Sequence, residues 1–285
     1  MNQRVNNLSK LYIVGTPIGN LEDLTFRALK IFKEVDFIFT EDTRVSKKLL
    51  NKYDVDSKLV SIYKRNKKLN SDYFLELLNQ NDIAFISDAG MPGISDPGGE
   101  FVSLARKNNH NIITIPGVSS LTSAFSVSGI ESKGFTFLGF LPKSNSQKIH
   151  LLSKSNETNL PVIIFESPRR IKATLKFLKD EFDIENIFIG KELTKIYETI
   201  FYGEINEAIN KFSNEKGEFV IIFNHEKIIY SKSLIEKYDK ILMEGYEKGI
   251  KGKNLLNLIS DLSGTNKSFL YERWLEIKRK NGNKT

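Results

Sequence analysis

Polar side chains follow several apolar, strand-like segments of this chain, each at the point where the segment ends. They are Glu41 and Asp42 after Phe37–Thr40, Asp88 after Ile83–Ile86, Glu166 after Val162–Phe165, and Lys191 with Glu192 after Ile187–Ile189. A carboxylate can accept a proton as a general base, and a nearby ammonium can lower a hydroxyl's pKa or hold a phosphate. A single carboxylate at such a position is more often a helix cap or a structural group. The repetition of polar groups after several strands is what predicts a reactive site.

The segment Ser87–Gly99 contains four glycines and two prolines between a strand-like run and a helical stretch. Glycines let a backbone approach a ligand closely, and prolines stiffen the path between them. Its Asp88 and Asp96 can accept hydrogen bonds from hydroxyl or amino groups. An ordinary turn between a strand and a helix is the alternative, but the length of the segment and its six Gly/Pro residues favour a ligand-binding loop.

These side chains need a sheet to bring them together. Apolar runs that alternate with helical patterns predict a parallel, helix-covered sheet through about residue 135 and further strands after it. The predicted strands are Leu11–Val14, Phe37–Thr40, Leu59–Tyr63, Ile83–Ile86, Ile112–Ile115, Val162–Phe165, Ile187–Ile189, Tyr197–Tyr202 and Phe219–Phe223. We expect Asp23 to cap the first helix and Gly139–Ser144 to form a hinge between domains. Parallel strands would place the polar groups of each half at one edge of its sheet, where α/β proteins bind ligands.

The charge of the chain is concentrated near its C-terminus. The net charge is +7, and residues 227–285 hold 13 Lys/Arg against 7 Asp/Glu. Two short helices around a glycine turn in this region resemble a helix-turn-helix module, although a helical cap on the second domain fits the pattern as well. The basic balance indicates either a polyanion such as nucleic acid or a solvated basic surface. We therefore predict an α/β protein with domains at 1–138 and 139–230 and a basic helical module at 231–285.

Several function classes lack their signatures in this sequence. Cysteine is absent and only three histidines occur, which disfavours thiol chemistry, metal centres and histidine-based triads. The turn Gly15–Asn20 does not match the dinucleotide-binding fingerprint, and no phosphate-binding loop ends in Gly-Lys-Ser/Thr. No apolar run approaches the roughly 20 residues that cross a bilayer, so the cytoplasm is the expected location and no membrane partner is expected.

Six motifs occur here in an order that resembles a known family. They are Val14–Leu21, Glu41–Arg44, Ser87–Gly98, Pro116–Ser120, Phe165–Arg170 and Lys191–Lys195. Together they resemble the small-subunit ribosomal RNA methyltransferases I, which belong to the tetrapyrrole methylase superfamily. One departure is clear, because the family usually has His-x-His-Asn-Glu where this chain has Tyr63–Lys67, and only Asn66 is retained.

The resemblance implies an architecture and an activity. It implies two α/β domains with a cofactor cleft between them, S-adenosylmethionine as methyl donor, and a homodimer. It also implies 2′-O-ribose methylation of a cytidine in the decoding region of the small-subunit (16S) rRNA.

The resemblance suggests the cofactor residues, and the chemistry and charge of the side chains suggest the other candidates. The cofactor-binding candidates are Pro17, Asp88, Gly90, Met91, Ile94, Ser119, Ser120 and Phe165. The candidates for the general base are, in order, Glu166, Asp42 and Glu41, with Lys191 assisting. The candidate RNA contacts are Arg44, Lys47, Arg169, Arg170, Lys251, Lys253, Lys267 and Arg273.

Two other functions compete with this interpretation. A methyltransferase of the same fold could act on a tetrapyrrole or on a protein side chain, but Phe165–Arg170 and the basic C-terminal region favour RNA. A non-catalytic nucleic-acid-binding protein would use the C-terminal helices alone. Such a protein would have no need of the Ser87–Gly99 loop or of carboxylates at a sheet edge.

Overall fold

A computed structural model describes residues 9–63, 67–156, 158–214, 216–224, 232–263, 265 and 267–282. The chain divides into two compact units. Unit 1 contains the described residues up to Glu131 together with Phe188–Phe201 and Gly217–Ile221, and unit 2 contains the remainder. The domains predicted at 1–138, 139–230 and 231–285 stay a prediction. Asn66, which lies within the departure from the family pattern, is outside the described residues.

The first sheet contains five strands in the order β3-β2-β4-β1-β5, and every pair of neighbours is parallel. The strands are β1 Lys10–Val14, β2 Phe37–Thr40, β3 Lys58–Ser61, β4 Ile83–Phe85 and β5 Asn111–Ile115. The helices are α1 Phe26–Glu34, α2 Thr43–Lys52, α3 Lys67–Leu78, α4 Gly99–Lys107 and α5 Ser120–Val127. The predicted parallel sheet is confirmed.

The strands of the first sheet bury side chains on both faces, because successive residues of a strand point to opposite sides. Ile38 packs in the core on one face and Phe39 in the core on the other. Phe39 meets Phe74 of α3 edge to face, with ring centroids 5.2 Å apart, and Phe101 of α4 packs against Phe74. Helices on both faces therefore leave the carboxyl ends of the strands as the place where polar loops gather.

The prediction that Asp23 caps the first helix is wrong. The Thr25 side chain accepts the Ala28 N–H at 3.1 Å and is the N-cap of α1, whereas Asp23 ends a short 3₁₀ turn. Both residue types favour the N-cap position, and Thr25 lies three residues before the amide that it caps. The start of the helix therefore falls two residues later than the sequence pattern indicated.

The second sheet also has five strands, in the order β6-β7-β10-β8-β9. They are β6 Thr136–Phe140, β7 Val162–Glu166, β8 Asn186–Lys191, β9 Thr199–Glu204 and β10 Phe219–Phe223, with helices α6 Asn145–Asn156, α7 Ile171–Phe182 and α8 Ile205–Phe212. The sequence did not predict β6, which includes Gly139 and Phe140 from the segment expected to be a hinge. The segment is only half-buried and contains a glycine, so it lacks the apolar run that marks the other strands.

The C-terminal helices α9 Lys232–Glu247, α10 Gly252–Ser263 and α11 Lys267–Gly282 have a core of their own. Leu242 of α9, Leu256 of α10 and Trp274 of α11 are buried in it, so the predicted helical region is confirmed. The Arg273 guanidinium on α11 binds the Asp239 carboxylate on α9. Among the residues that the structure describes, no helix has the length and apolar character that crossing a bilayer requires.

Candidate active site

The loops that follow β1 and β4 are joined where the two strands end. The Thr16 N–H donates to the Gly90 carbonyl at 2.9 Å, and the Gly90 N–H donates to the Thr16 carbonyl at 3.1 Å. The buried Thr16 hydroxyl also donates to the Ser87 carbonyl at 3.2 Å. Gly90 has φ +78°, a left-handed conformation that glycine adopts without steric cost. The glycine-rich loop is therefore held against the β1 turn at a defined position.

Two glycines allow the loops after β1 and β5 to approach each other closely. A Cβ on Gly117 would lie 2.8 Å from the Gly15 Cα, and a Cβ on Gly15 would lie 2.6 Å from the Met91 Sδ. The Gly15 N–H donates to the Ile115 carbonyl at 3.0 Å, which fixes the register of the approach. We call Gly15, Gly90, Met91 and Gly117 the glycine cradle. Only residues without side chains fit at Gly15 and Gly117, because the facing loop already fills the space that each Cβ would take.

Three carboxylates, those of Glu41, Asp88 and Asp96, lie together beside the cradle. Burial raises the pKa of Glu41 to about 7, and the charges of Asp96 and Asp88 add to the shift. Burial also raises the pKa of Asp96, although the Ser87 hydroxyl opposes this. Among the described residues, the buried Glu41 Oε1 has no hydrogen-bond partner. A carboxylate with a pKa near 7 and an unused oxygen has the properties of a general base.

Asp42 differs from its neighbour Glu41 because its carboxylate is fully engaged. It accepts three hydrogen bonds from the Arg44 guanidinium, at 3.0, 3.2 and 2.6 Å, and one from the Arg44 N–H at 2.8 Å. These bonds lower the pKa of Asp42 to about 2. Asp42 is also the N-cap of α2, and its own N–H donates to the Asp88 carboxylate at 3.1 Å. Its geometry is that of a residue that fixes the loop, since a base with so low a pKa has little tendency to take a proton.

The loop between β8 and β9 supports the turn after β1, and both lie in unit 1. The Asn20 N–H donates to the Thr194 hydroxyl at 3.1 Å. The Lys195 ammonium bridges the carboxylates of Glu192, at 2.9 Å, and Glu218, at 3.0 Å. Glu192 and Thr194 have φ +51° and +68°, left-handed values that are unfavourable for residues with a side chain. The contacts of these side chains hold the loop in this conformation.

Glu166, the first candidate for the base, is a fully buried carboxylate in unit 2 with several donors around it. One oxygen accepts the Ser167 N–H at 2.8 Å and lies 3.3 Å from the Arg170 Nε, and the other accepts the Thr174 hydroxyl at 2.6 Å. The Arg170 guanidinium also donates to the Leu141 carbonyl at 2.6 Å. These contacts give Glu166 a structural task, which is to join the end of β7 to the start of α7.

We expect Glu166→Gln to act mainly on stability. The glutamine amide would turn a donor toward groups that now donate, and leaving buried partners unsatisfied costs about 2–4 kcal/mol in the free energy of unfolding. Urea unfolding followed by circular dichroism measures this loss, and Glu185→Gln on the exposed surface of the same unit is the matched control. A Glu166→Gln protein with unchanged stability and no turnover would instead return Glu166 to the role of base.

The structure places the remaining candidates in different surroundings. Pro17 is buried, Ser119 and Ser120 are half-buried at the start of α5, Lys191 is buried, and Ile94 is exposed. Phe165 packs against Phe137 and Phe140 of unit 2. Lys47, Arg169, Lys251, Lys253 and Lys267 are exposed. Arg44, Arg170 and Arg273 have carboxylate partners, and Lys267 pairs with Asp261 at 3.9 Å. Their cofactor and RNA contacts remain predictions.

Sequence reasoning did not assign Gly15, Gly117 or Asp96 to the site. A signal for the two glycines was present, because each follows directly after a predicted strand, and the turns after neighbouring parallel strands meet at one edge. Asp96 lies in the glycine-rich loop, and only the folded loop shows that it approaches Glu41.

The chain is similar to known methyltransferases. Residues 10–209 match the family model of the tetrapyrrole (corrin/porphyrin) methylases. Similar curated proteins are the ribosomal RNA small subunit methyltransferases I of Thermotoga maritima, 42% identical over 76% of this chain and 99% of the relative, and of Halalkalibacterium halodurans, 42% identical over 79% and 80%. That of Neisseria meningitidis serogroup B is 33% identical over 95% of this chain and 94% of its own.

Solved structures share the fold at low sequence identity. A diphthine synthase superposes with a TM-score of 0.63 at 14% identity and covers 76% of this chain and 90% of its own. A cobalt precorrin-4 methyltransferase superposes with a TM-score of 0.57 at 17% identity, over 75% and 94%. These two likenesses support the fold alone.

Proposed function

The chain belongs to the tetrapyrrole methylase family, and we propose that it uses S-adenosylmethionine to methylate the RNA of the small ribosomal subunit. The observation that carries the proposal is the pairing of the glycine cradle with the Glu41, Asp88 and Asp96 carboxylates at one edge of a parallel sheet. Curated relatives that align with most of this chain are named as methyltransferases of the small-subunit ribosomal RNA, which supports the choice of substrate.

The glycine cradle fits the chemical groups of S-adenosylmethionine. When bound, this cofactor supplies an electrophilic methyl group on a sulfonium sulfur. The absence of side chains at Gly15 and Gly117 lets the loops after β1 and β5 pack directly on each other, and Met91 adds an apolar side chain at the same place. The backbone groups of Thr16 and Gly90 hydrogen-bond to each other and keep the loop in place. The nearby carboxylates favour a positively charged ligand. We assign the cradle, with Pro17, Asp88, Ile94, Ser119, Ser120 and Phe165, to cofactor binding.

We propose Glu41 as the general base for a ribose 2′-hydroxyl. The Glu41 carboxylate would take the hydroxyl proton while the 2′-oxygen takes the methyl group that the bound cofactor would supply, with the remainder of the cofactor leaving as the neutral thioether. Holding the two reactants in line supplies much of the rate, and a positioned base adds about 10²–10⁴-fold. Its pKa of about 7 lets Glu41 take this proton at neutral pH and release it afterwards. Asp42 fixes the loop, and the buried Lys191 remains a candidate to lower the pKa of the hydroxyl.

The finer features of the proposal follow the family. The target is a cytidine in the decoding region of the 16S rRNA, the enzyme is a homodimer, and it works in the cytoplasm, where ribosomal subunits are assembled. The basic C-terminal region supports a polyanionic substrate, since Lys and Arg side chains bind phosphates in a salt-dependent way.

Two measurements on the purified full-length protein test the proposal. S-adenosylmethionine at saturating concentration should raise the melting temperature, because a ligand that binds only the folded state stabilises it by about 3 kcal/mol at 100-fold excess over its Kd. Labelled methyl groups should then appear in the RNA of small ribosomal subunits from cells that lack the gene. Ribose-methylation mapping should locate them at one cytidine of the decoding region.

Large ribosomal subunits are the matched control, because they offer the same ribose chemistry without the target. A protein whose melting temperature does not respond to S-adenosylmethionine, or that labels both subunits equally, would contradict the proposal. Light scattering tests the homodimer separately, and a monomer would remove that feature alone.

A further inference from the structure

The C-terminal helices enclose a groove that lies outside the glycine cradle and its carboxylates. The groove between α10 and α11 has a volume of about 570 Å³. We call it the α10–α11 groove, and it is lined by Gly252, Lys253, Leu256, Asn257, Lys267, Tyr271, Glu272 and Trp274. Pockets of a few hundred Å³ are large enough for a ligand of nucleotide size.

Aromatic side chains form one wall of this groove. Tyr271 and Trp274 are three residues apart on α11, so they lie on one face of the helix. The indole of Trp274 is only 5% exposed and packs edge to face on Tyr246, with ring centroids 5.8 Å apart. A Cβ on Gly252 would lie 2.5 Å from the indole Nε1, so this glycine allows the start of α10 to rest on the ring. The indole is therefore fixed, while the ring of Tyr271, 53% exposed, faces solvent.

Polar and charged groups form the other side of the groove. Lys253 and Lys267 are both exposed, and Asn257 presents an amide that can donate and accept hydrogen bonds. Among the described residues that line the groove, Glu272 is the only carboxylate, and Lys267 approaches Asp261 no closer than 3.9 Å. The exposed Lys253, and Lys267 with its long and exposed ion pair to Asp261, can therefore reach an anionic ligand.

We propose that the α10–α11 groove binds an unstacked base of single-stranded RNA. The base stacks on the Tyr271 ring, Asn257 contacts its edge, and Lys253 and Lys267 bind the flanking phosphates. Proteins read single-stranded RNA by this combination of aromatic stacking, amide contacts and basic groups, whereas a duplex keeps its bases paired and stacked. The proposal rests on the proposed function for its RNA substrate and adds a second contact away from the reacting ribose.

Trp274 is the only tryptophan of the chain, so its fluorescence reports on the groove alone. The full-length protein is titrated with a short single-stranded RNA from the small-subunit rRNA, with the duplex of the same sequence, and with poly-glutamate as an acidic peptide. We expect the single strand to change the emission of Trp274 with the highest affinity. Equal or tighter binding of the duplex or of poly-glutamate would overturn the proposal.

Variants test each wall of the groove. Stacking on an aromatic side chain is worth about 1–3 kcal/mol per base, so Tyr271→Ala should weaken RNA binding by about 5- to 150-fold. Tyr271→Phe keeps the ring and should bind as the wild type does. Lys253→Glu should weaken binding and reduce the salt slope by about 0.7 for each phosphate that the variant no longer binds. Lys240→Glu makes the same charge change on exposed α9, outside the groove, and is the control.

The outcomes separate this proposal from the proposed function. If wild-type protein methylates small subunits and Tyr271→Ala does so with an unchanged KM and RNA affinity, the groove proposal is wrong and the function stands. If no particle accepts a methyl group but single-stranded RNA still changes the Trp274 emission, the function is wrong and the groove proposal stands. Circular dichroism confirms that each variant folds, and truncating an exposed side chain such as Tyr271 changes stability little.

Discussion

Replacing Glu41 with glutamine should lower kcat by about 10²–10³-fold while S-adenosylmethionine still binds, because the amide cannot accept the ribose proton. The glutamine has almost the same shape, so the loop after β2 keeps its contacts. Single-turnover methyl transfer to small subunits measures the chemical step, and the cofactor-induced rise in melting temperature measures binding. Glu76→Gln, an exposed carboxylate of α3 in the same unit, is the control.

The pH dependence of the same variant gives an independent reading. The wild-type kcat/KM should rise with pH and level off above about 7, because Glu41 must be ionised to act and burial raises its pKa to about 7. Glu41→Gln should lack this limb. If kcat/KM of the variant still rose with pH as in the wild type, another group would be responsible for the rise, and Glu41 would not be the base.

The raised pKa also predicts an effect on stability. The folded state holds the Glu41 proton more tightly than the unfolded state, in which the pKa is near 4.5. This contribution to stability is complete below pH 4.5 and is lost as the pH rises to about 7. Glu41→Gln avoids the loss, so at pH 8 it should be more stable than the wild type by roughly 1–2 kcal/mol after solvent screening. At pH 4.5 the two proteins should unfold alike.

Replacing Gly117 with alanine should weaken S-adenosylmethionine binding by about 5- to 150-fold, which corresponds to the 1–3 kcal/mol cost of forcing a methyl group into a packed site. The new Cβ would lie 2.8 Å from the Gly15 backbone, and backbone cannot rotate away as a side chain can. The loops after β1 and β5 must therefore move apart and open the cradle. Isothermal titration with the cofactor measures the loss.

Gly99→Ala is the matched control, because a Cβ there meets nothing within 4 Å and Gly99 begins a helix, where alanine is favourable. We expect it to bind the cofactor normally and to melt at or slightly above the wild-type temperature. A Gly117→Ala protein that is folded and binds S-adenosylmethionine as tightly as the wild type would show that the cradle is not the cofactor site.

The sequence predicted those parts of the fold that local pattern determines. Buried strands such as Phe37–Thr40 and Phe219–Phe223 have the observed bounds, and each other predicted strand agrees within two residues at either end. Such strands read as apolar runs because both of their faces are covered. Strand β6 has half-buried residues and a glycine with φ +64°, so its pattern resembled a connection.

The choice among the carboxylates could not be made from the sequence. Glu41, Asp42 and Glu166 all follow strands, and what separates them is the number of donors that folding brings to each. The donors to Glu166 come from Ser167, Arg170 and Thr174. The last two follow it across the turn from β7 to α7, so only the folded turn brings them to the carboxylate. By contrast, the approach of Asp88 and Asp96 to Glu41 depends on two strands that are distant in sequence and neighbours in the sheet.

The left-handed residues Glu192 and Thr194 limit how this enzyme can change. Glycine at either position would relieve about 1–2 kcal/mol of steric cost. It would also delete the Thr194 hydroxyl that holds Asn20, or the Glu192 carboxylate that holds Lys195. The substitution that best suits the backbone is therefore the one that releases the turn after β1. Attempts to make the protein more heat-resistant by optimising backbone conformation should leave these two positions untouched.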